Sequence, residues 1–208
     1  MNIVYHTEPF QCIEIFNLYT EEESKIIFDE ILNHTHTFET EEELYSAKHE
    51  NNESKTKKLG LFWDDLYHNR DNSKLLKLNR KLFHALNKVN DCPDNLWFFK
   101  YKDLNYDTTL ISYYENGGYY NPHIDDAYFT ALTWFWKEPK SFKGGDLVFP
   151  DYDFKIELKQ NYTILFPSNI KHAVEPIEII ENKDNYYGRF AMTQFVTYVK
   201  KPQNNSGN

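Results

Sequence analysis

Cysteine is almost missing from this chain. The 208 residues hold two, Cys12 and Cys92, without C-x-x-C spacing and too few for a disulfide framework, so reduced thiols and an intracellular protein are expected. Long apolar runs are missing as well. No stretch approaches the ~18 residues needed to cross a bilayer. The start, Met1-Asn2-Ile3-Val4-Tyr5-His6, has neither the basic flank nor the apolar centre of an export signal, which leads to the expectation of a cytoplasmic protein with no membrane partner. Positive charge is in deficit: Lys and Arg number 23 against 32 Asp and Glu, a formal net charge of −9. A negative surface gains nothing from nucleic acid or anionic lipid, so no nucleic-acid partner is expected. Glycine is sparse at 7 residues, and no repeat or low-complexity segment is visible.

What is abundant is aromatic: 16 Tyr and 16 Phe contribute to a 17% aromatic share. The length suits one folded domain, taken as residues 1–200 with a polar tail at 201–208. Near the start, Thr20-Glu21-Glu22-Glu23 forms a capping box, and Ile27, Phe28, Ile31 and Leu32 follow at helical spacing, which predicts a helix from Glu21 to Asn33. Residues 35–60, acidic and then basic, read as a surface segment over a pocket. Ser73 can cap a second helix reaching about Val89 through Leu75, Leu78, Leu82 and Leu86. From Leu96 onward the pattern turns to strands: Leu96–Tyr101, Thr108–Glu115, Tyr128–Trp136, Asp146–Phe149, Phe154–Leu158, Tyr162–Phe166, Ala173–Ile179 and Arg189–Val199. Turn residues separate them at the spacing of a sandwich or barrel. The expected class is mainly β (α+β), a jelly-roll core over about 96–199 with N-terminal helices packed outside.

One stretch carries chemistry. Tyr113-Tyr114-Glu115-Asn116-Gly117-Gly118-Tyr119-Tyr120-Asn121-Pro122-His123-Ile124-Asp125 reads as a strand, a Gly-Gly turn and an extended segment. On an extended chain residues i and i+2 point the same way, so His123 and Asp125 converge while Asp126 faces away. His172, 49 residues beyond His123, supplies a third candidate ligand. Two imidazoles and one carboxylate form the ligand set of the facial triad of non-haem Fe(II) oxygenases, which leaves positions open for O₂ and a co-substrate. His34-Thr35-His36 also has ligand-like spacing, but it lies in a polar loop without a third ligand and is read as binding nothing. The acidic run Glu41–Glu43 is read as a solvated face.

Residues 110–197 resemble the 2-oxoglutarate- and Fe(II)-dependent oxygenases, and within them the prolyl 4-hydroxylase-like branch. Tyr114, Gly117, Tyr120, His123 and Asp125 are followed in the family's order by Thr130, Trp134-Phe135 and Gly144-Gly145-Asp146-Leu147-Val148-Phe149-Pro150. Phe166-Pro167, His172, Val174, Pro176 and Ile177 come next, and Gly188-Arg189 opens the last strand. Two departures stand out. Arg189 lies 17 residues after His172, later than in relatives, which requires a longer hairpin over Glu178–Tyr187. Trp134 stands where the family often has Tyr, and an indole N–H donates but cannot accept.

The resemblance implies a double-stranded β-helix enzyme that uses Fe(II), 2-oxoglutarate and O₂, with ascorbate as a further reductant in some relatives. His123, Asp125 and His172 would hold the metal. Arg189 would bind the distal carboxylate of 2-oxoglutarate bidentately, with Tyr114 and Trp134 beside it, and Tyr120 would line the substrate site. An aromatic mouth built from Tyr113, Tyr114, Tyr119, Tyr120, Trp134 and Trp136 is expected to suit a proline ring. A prolyl residue in a peptide or protein is therefore the first substrate reading, another amino acid or small molecule the second. A non-catalytic metal-binding or sensory jelly roll is the rival from another class.

Overall fold

In the computed structural model, residues 1–44, 54–87, 104–181 and 186–199 are described. The chain opens with β1 (Asn2–His6) and β2 (Cys12–Phe16), an antiparallel pair. Helix α1 (Glu21–Asn33) follows with both halves of its predicted capping box formed. After the short strands β3 (Glu39–Thr40), β4 (Thr56–Lys57) and β5 (Leu59–Phe62) come three helices, α2 (Trp63–Leu66), α3 (Lys74–Leu78) and α4 (Lys81–Asn87). The remainder is β: β6 (Tyr106–Tyr114), β7 (Tyr119–His123), β8 (Phe129–Phe135), β9 (Phe142–Gly144), β10 (Leu147–Phe149), β11 (Phe154–Ile156), β12 (Tyr162–Pro167), β13 (His172–Val174), β14 (Ile177–Ile179) and β15 (Arg189–Thr197).

Two sheets make the body. Eight strands run in the order β1-β2-β12-β8-β15-β6-β5-β3, five in the order β11-β10-β13-β7-β4, and β14 pairs with β9 alone. The long strands of the larger sheet are apolar on both faces because both are covered. Leu132, Trp134, Ile164, Phe166, Tyr114 and Ala191 pack toward Leu147, Phe149 and Val174 of the smaller sheet. Their neighbours Ala131, Phe135, Leu165, Tyr113, Phe190 and Met192 pack on the other side against Ile27 and Ile31 of α1 and against Leu75, Leu76, Leu82 and Leu86. This is a jelly-roll, double-stranded β-helix core with the helical layer outside, as expected.

A buried carboxylate ties the helices to the sheet. The Asp107 side chain has no exposed surface and accepts from Arg70 Nη2 at 3.1 Å, Arg80 Nη1 at 2.6 Å and Gln194 Nε2 at 3.0 Å. Removing one partner from such a buried network is costly, because the others are left charged without compensation.

Several expectations need correction. Residues 35–60 are not simply a surface segment. Thr56 and Lys57 pair with β7, Leu59–Phe62 pairs with β6, and Thr56 and Lys58 are buried; residues 45–53 lie outside the described ones. The helix expected from Ser73 starts there, with the Ser73 hydroxyl accepting from Leu76 N, but it breaks at Asn79, whose amide turns into the sheet to donate to Thr109 Oγ1 at 2.8 Å. Residues 88–103, and with them the expected strand Leu96–Tyr101 and Cys92, lie outside the description, as do 182–185 and the tail; the hairpin expected over Glu178–Tyr187 is not one, since β14 pairs with β9 whereas β15 pairs with β6 and β8. The strand expected at Ala173–Ile179 divides around Pro176, which has no N–H to donate to a ladder. Its halves, β13 and β14, join different sheets. Strands β1 and β9 had not been expected.

Candidate active site

The two histidines face each other across the smaller sheet. His172 of β13 is the register partner of His123 of β7, and their ring centroids lie 4.3 Å apart. Each ring is set by its own strand: His123 Nδ1 donates to Asn121 O at 2.9 Å and His172 Nδ1 to Ile170 O at 2.9 Å. A carbonyl can only accept, so Nδ1 carries the proton and Nε2 is left as the ligating atom. Burial and the neighbouring His172 push the His123 imidazole down to about 4, which keeps it neutral near pH 7.

Asp125 closes the set from just beyond β7. Its Oδ1 is 3.6 Å from His123 Nε2 and its Oδ2 is 3.3 Å from His172 Nε2. One ligand atom from each of the three side chains lies within 4.8 Å of the others. Thr130 Oγ1 donates to Asp125 Oδ2 at 2.6 Å, Ser168 Oγ lies 2.9 Å from that hydroxyl, and Asp125 N donates to Ser168 O at 3.0 Å. The strand ends at His123, so alternation no longer governs the residues after it. Asp126, expected to face away, borders the same cavity as an exposed side chain at its mouth.

That cavity, about 440 Å³, lies between the sheets. At its inner wall Arg189 has no exposed surface, stands opposite Tyr114 in the ladder and holds its guanidinium 4.7 Å from the Tyr114 ring centroid. The Tyr114 hydroxyl favours the charged form of Arg189, but among the described residues none of the three guanidinium nitrogens finds an acceptor in full hydrogen-bond geometry and no carboxylate lies within 4.0 Å. Two glycines make the space. A Cβ on Gly145 would meet Arg189 Cδ at 3.0 Å, and one on Gly188 would meet Tyr114 O at 2.0 Å.

Residues 109–197 match the model of the 2OG-Fe(II) oxygenase superfamily. Over this segment the chain is similar to that superfamily. Members of this superfamily use Fe(II), 2-oxoglutarate and O₂. A PKHD-type hydroxylase of Maricaulis maris is 34% identical over 76 residues, covering 33% of this chain and 35% of the relative; a second, from Herminiimonas arsenicoxydans, is 30% identical over 39% of this chain and 43% of its own length. The matches thus span well under half of the length of these curated relatives. Among solved structures, the viral collagen prolyl hydroxylase of Paramecium bursaria Chlorella virus-1 in complex with 2OG superposes with a TM-score of 0.54 at 15% identity, over 90% of this chain and 96% of that one. The shared fold is therefore that of the 2OG-Fe(II) oxygenases.

The residues of this cavity fit the groups that members of the superfamily use. Three ligand atoms converge with both imidazole tautomers fixed for ligation, and a buried guanidinium stands in the same cavity without an anion to satisfy it. Trp134, fully buried, does not border the cavity; its ring lies 5.9 Å from the Arg189 guanidinium, and its indole N–H has no acceptor. Tyr120 stacks on His123 with centroids 3.5 Å apart. The expected aromatic mouth is mostly absent. Of its six residues only Tyr114 and Tyr120 border the cavity. Strand alternation sends Tyr113 to the helical side against Phe190, and Trp136 packs on Phe142. The walls instead combine the aliphatic Leu110, Leu132, Leu147 and Val174 with two other aromatics, Phe62 and Phe195.

Two residues in this site were not singled out from sequence. Ser168 lies in the turn after β12, and Lys58 falls within the segment read as surface. Lys58 is 6% exposed and lines the cavity. It was hidden because its neighbours in sequence are polar, and only the pairing of β4 and β5 with different sheets turns it inward.

Proposed function

We propose that this chain is a 2-oxoglutarate- and Fe(II)-dependent hydroxylase acting first on prolyl residues. The observation that carries the oxygenase part is the presence, in one cavity, of a complete two-histidine, one-carboxylate set and a buried guanidinium with no carboxylate partner among the described residues. A protein that only stored metal would have no use for Arg189, whose burial without an anion is costly. His123, Asp125 and His172 would hold Fe(II), which when bound supplies O₂ activation coupled to oxidative decarboxylation of 2-oxoglutarate to succinate and CO₂. Arg189 fixes the distal carboxylate of the co-substrate. Tyr114 stays a neutral hydroxyl, because burial raises its phenol above the ordinary range even with Arg189 beside it. The aliphatic walls exclude water from the reacting end of the site.

The prolyl part rests on less: Tyr120 laid on the ligand His123, the PKHD-type names of the curated relatives, and the prolyl hydroxylases among the fold neighbours, including one of Pseudomonas putida at TM-score 0.53 and 12% identity. A second reading, another amino acid or small molecule, is favoured by the loss of Tyr113, Tyr119, Trp134 and Trp136 from the expected aromatic mouth. The test is succinate formation under Fe(II), 2-oxoglutarate and air with proline peptides, free proline and other amino acids, each checked by mass spectrometry for one added oxygen. A proline compound that stimulates turnover and gains oxygen supports the proposal. Oxygen gained only by a compound without proline removes the prolyl part, and no succinate under any condition removes the oxygenase part.

A further inference from the structure

The second buried cation of the cavity is Lys58. The chain crosses from the smaller to the larger sheet at this residue: Lys57 pairs with Tyr119 of β7, while Leu59 pairs with Tyr113 of β6. The crossing drops the side chain of Lys58 between the sheets. There its Nζ donates to Ser112 Oγ at 3.1 Å and sits 4.8 Å from the centroid of Tyr120, the ring that stacks on His123. No carboxylate of the described residues comes within 4.0 Å of it. One neutral hydroxyl and one aromatic face are poor replacements for the hydration shell that an ammonium gives up on burial.

Charge counting shows what is missing. Among the described residues Asp125 and Asp126 are the carboxylates that border the cavity, and Asp126 is exposed at the mouth. A divalent metal, Arg189 and Lys58 against Asp125 leave three positive charges. The 2-oxoglutarate dianion neutralises two of them, one carboxylate at Arg189 and the other at the metal. One positive charge remains at Lys58, on the side of Tyr120. We propose that Lys58 binds a free carboxylate of the substrate being oxidised, so that this substrate is an amino acid or the C-terminal residue of a peptide and not an internal residue of a chain. This rests on the oxygenase reading above but not on the choice of proline.

The same chemistry could come from 2-oxoglutarate itself, if Lys58 took its metal-side carboxylate. Two arms separate the sources. Full-length protein loaded with Mn(II) and 2-oxoglutarate is equilibrated with a mixture of the free proteinogenic amino acids and N-acetylproline, or with the same compounds as carboxamides, and the retained compounds are read by ultrafiltration and mass spectrometry. Calorimetry gives the affinity for 2-oxoglutarate alone. Wild type should retain at least one acid about tenfold or more better than its amide, the scale of a single charge-assisted contact. Lys58→Met should lose that preference while its 2-oxoglutarate affinity stays within about threefold of wild type. The wild-type arm stands even if the variant fails to fold. Equal retention of acids and amides by wild type, none of either included, overturns the inference. So does a larger loss of 2-oxoglutarate affinity in Lys58→Met, which would make Lys58 a second co-substrate ligand. If wild type binds no 2-oxoglutarate at all, the oxygenase reading falls and takes this inference with it.

Discussion

Arg189 and Lys58 are single residues whose burial makes sense only with an anion beside them. For Arg189→Ala, the 2-oxoglutarate affinity of the Mn(II)-loaded protein should fall by about 2–5 kcal/mol, the range for removing one partner of a buried charge pair, with Mn(II) affinity nearly unchanged. Calorimetry on both ligands checks this, and an unchanged 2-oxoglutarate affinity would assign the anchor elsewhere. Lys58 leaves a mark on stability. Burial lowers its ammonium from 10.5 to about 8, outweighing the attraction of Asp125. Between those two values the unfolded chain holds more protons than the folded one, so the Lys58 contribution to stability rises with pH. Without ligands Lys58→Met should therefore be more stable than wild type at pH 7 by about 2–3 kcal/mol, and the gap should close as pH rises from 8 toward 10.5. Comparing urea midpoints of the two proteins isolates the effect from Tyr113, whose phenol, pushed up to about 12 by burial, acts in the opposite sense. A variant less stable than wild type at pH 7 would mean that the ammonium is satisfied where it sits.

At the scale of elements, the start of β15 decides the site. Gly188 lets the strand close onto β6 so that Arg189 lands opposite Tyr114. Gly188→Ala would drive a methyl into the Tyr114 carbonyl at 2.0 Å, a backbone atom held in the β6–β15 ladder, with the Tyr113 ring close behind at 3.1 Å, which leaves no cheap relief. We expect a loss of about 2–4 kcal/mol and weakened 2-oxoglutarate binding together, measurable by urea unfolding and calorimetry; a silent substitution would show that β15 can slide. The late position of Arg189 in the sequence is harmless for the same reason: extra length between β14 and β15 does not alter the ladder. What was legible in the sequence follows this logic. The capping box of α1, the longest apolar strands and the pair His123 and Asp125 are local patterns, and each was readable, whereas His172 lies 49 residues beyond His123. The break at Asn79, the division at Pro176 and the sorting of the aromatics are set by which sheet a strand joins, which no single window of sequence contains. Tyr113 and Tyr114 are adjacent and identical in type, yet one belongs to the helical core and the other to the cavity.

The molecule as a whole is two sheets with ligands on both sides of a gap. His123 and His172 belong to the smaller sheet, whereas Asp125 is held through Thr130 of β8 and Arg189 extends from β15 in the larger one. A metal bound by all three ligands therefore connects the sheets. His123→Ala, Asp125→Ala and His172→Ala should each abolish turnover and sharply weaken Mn(II) binding, yet remain folded, since neither core cluster depends on them. Circular dichroism and calorimetry check this, and full turnover in any of the three would remove that residue from the triad.

The bridging has a consequence for the protein's lifetime. Anything that binds only the closed arrangement adds RT ln(1 + [L]/Kd) to its stability, and proteases cut chains in proportion to how often they open. Iron supply would then set not only how many copies are active but how many survive, with copies lacking metal being the first degraded. Limited proteolysis with and without Mn(II) reads this directly, through slower cleavage near β7 and β13 in the loaded protein and equal rates in His172→Ala.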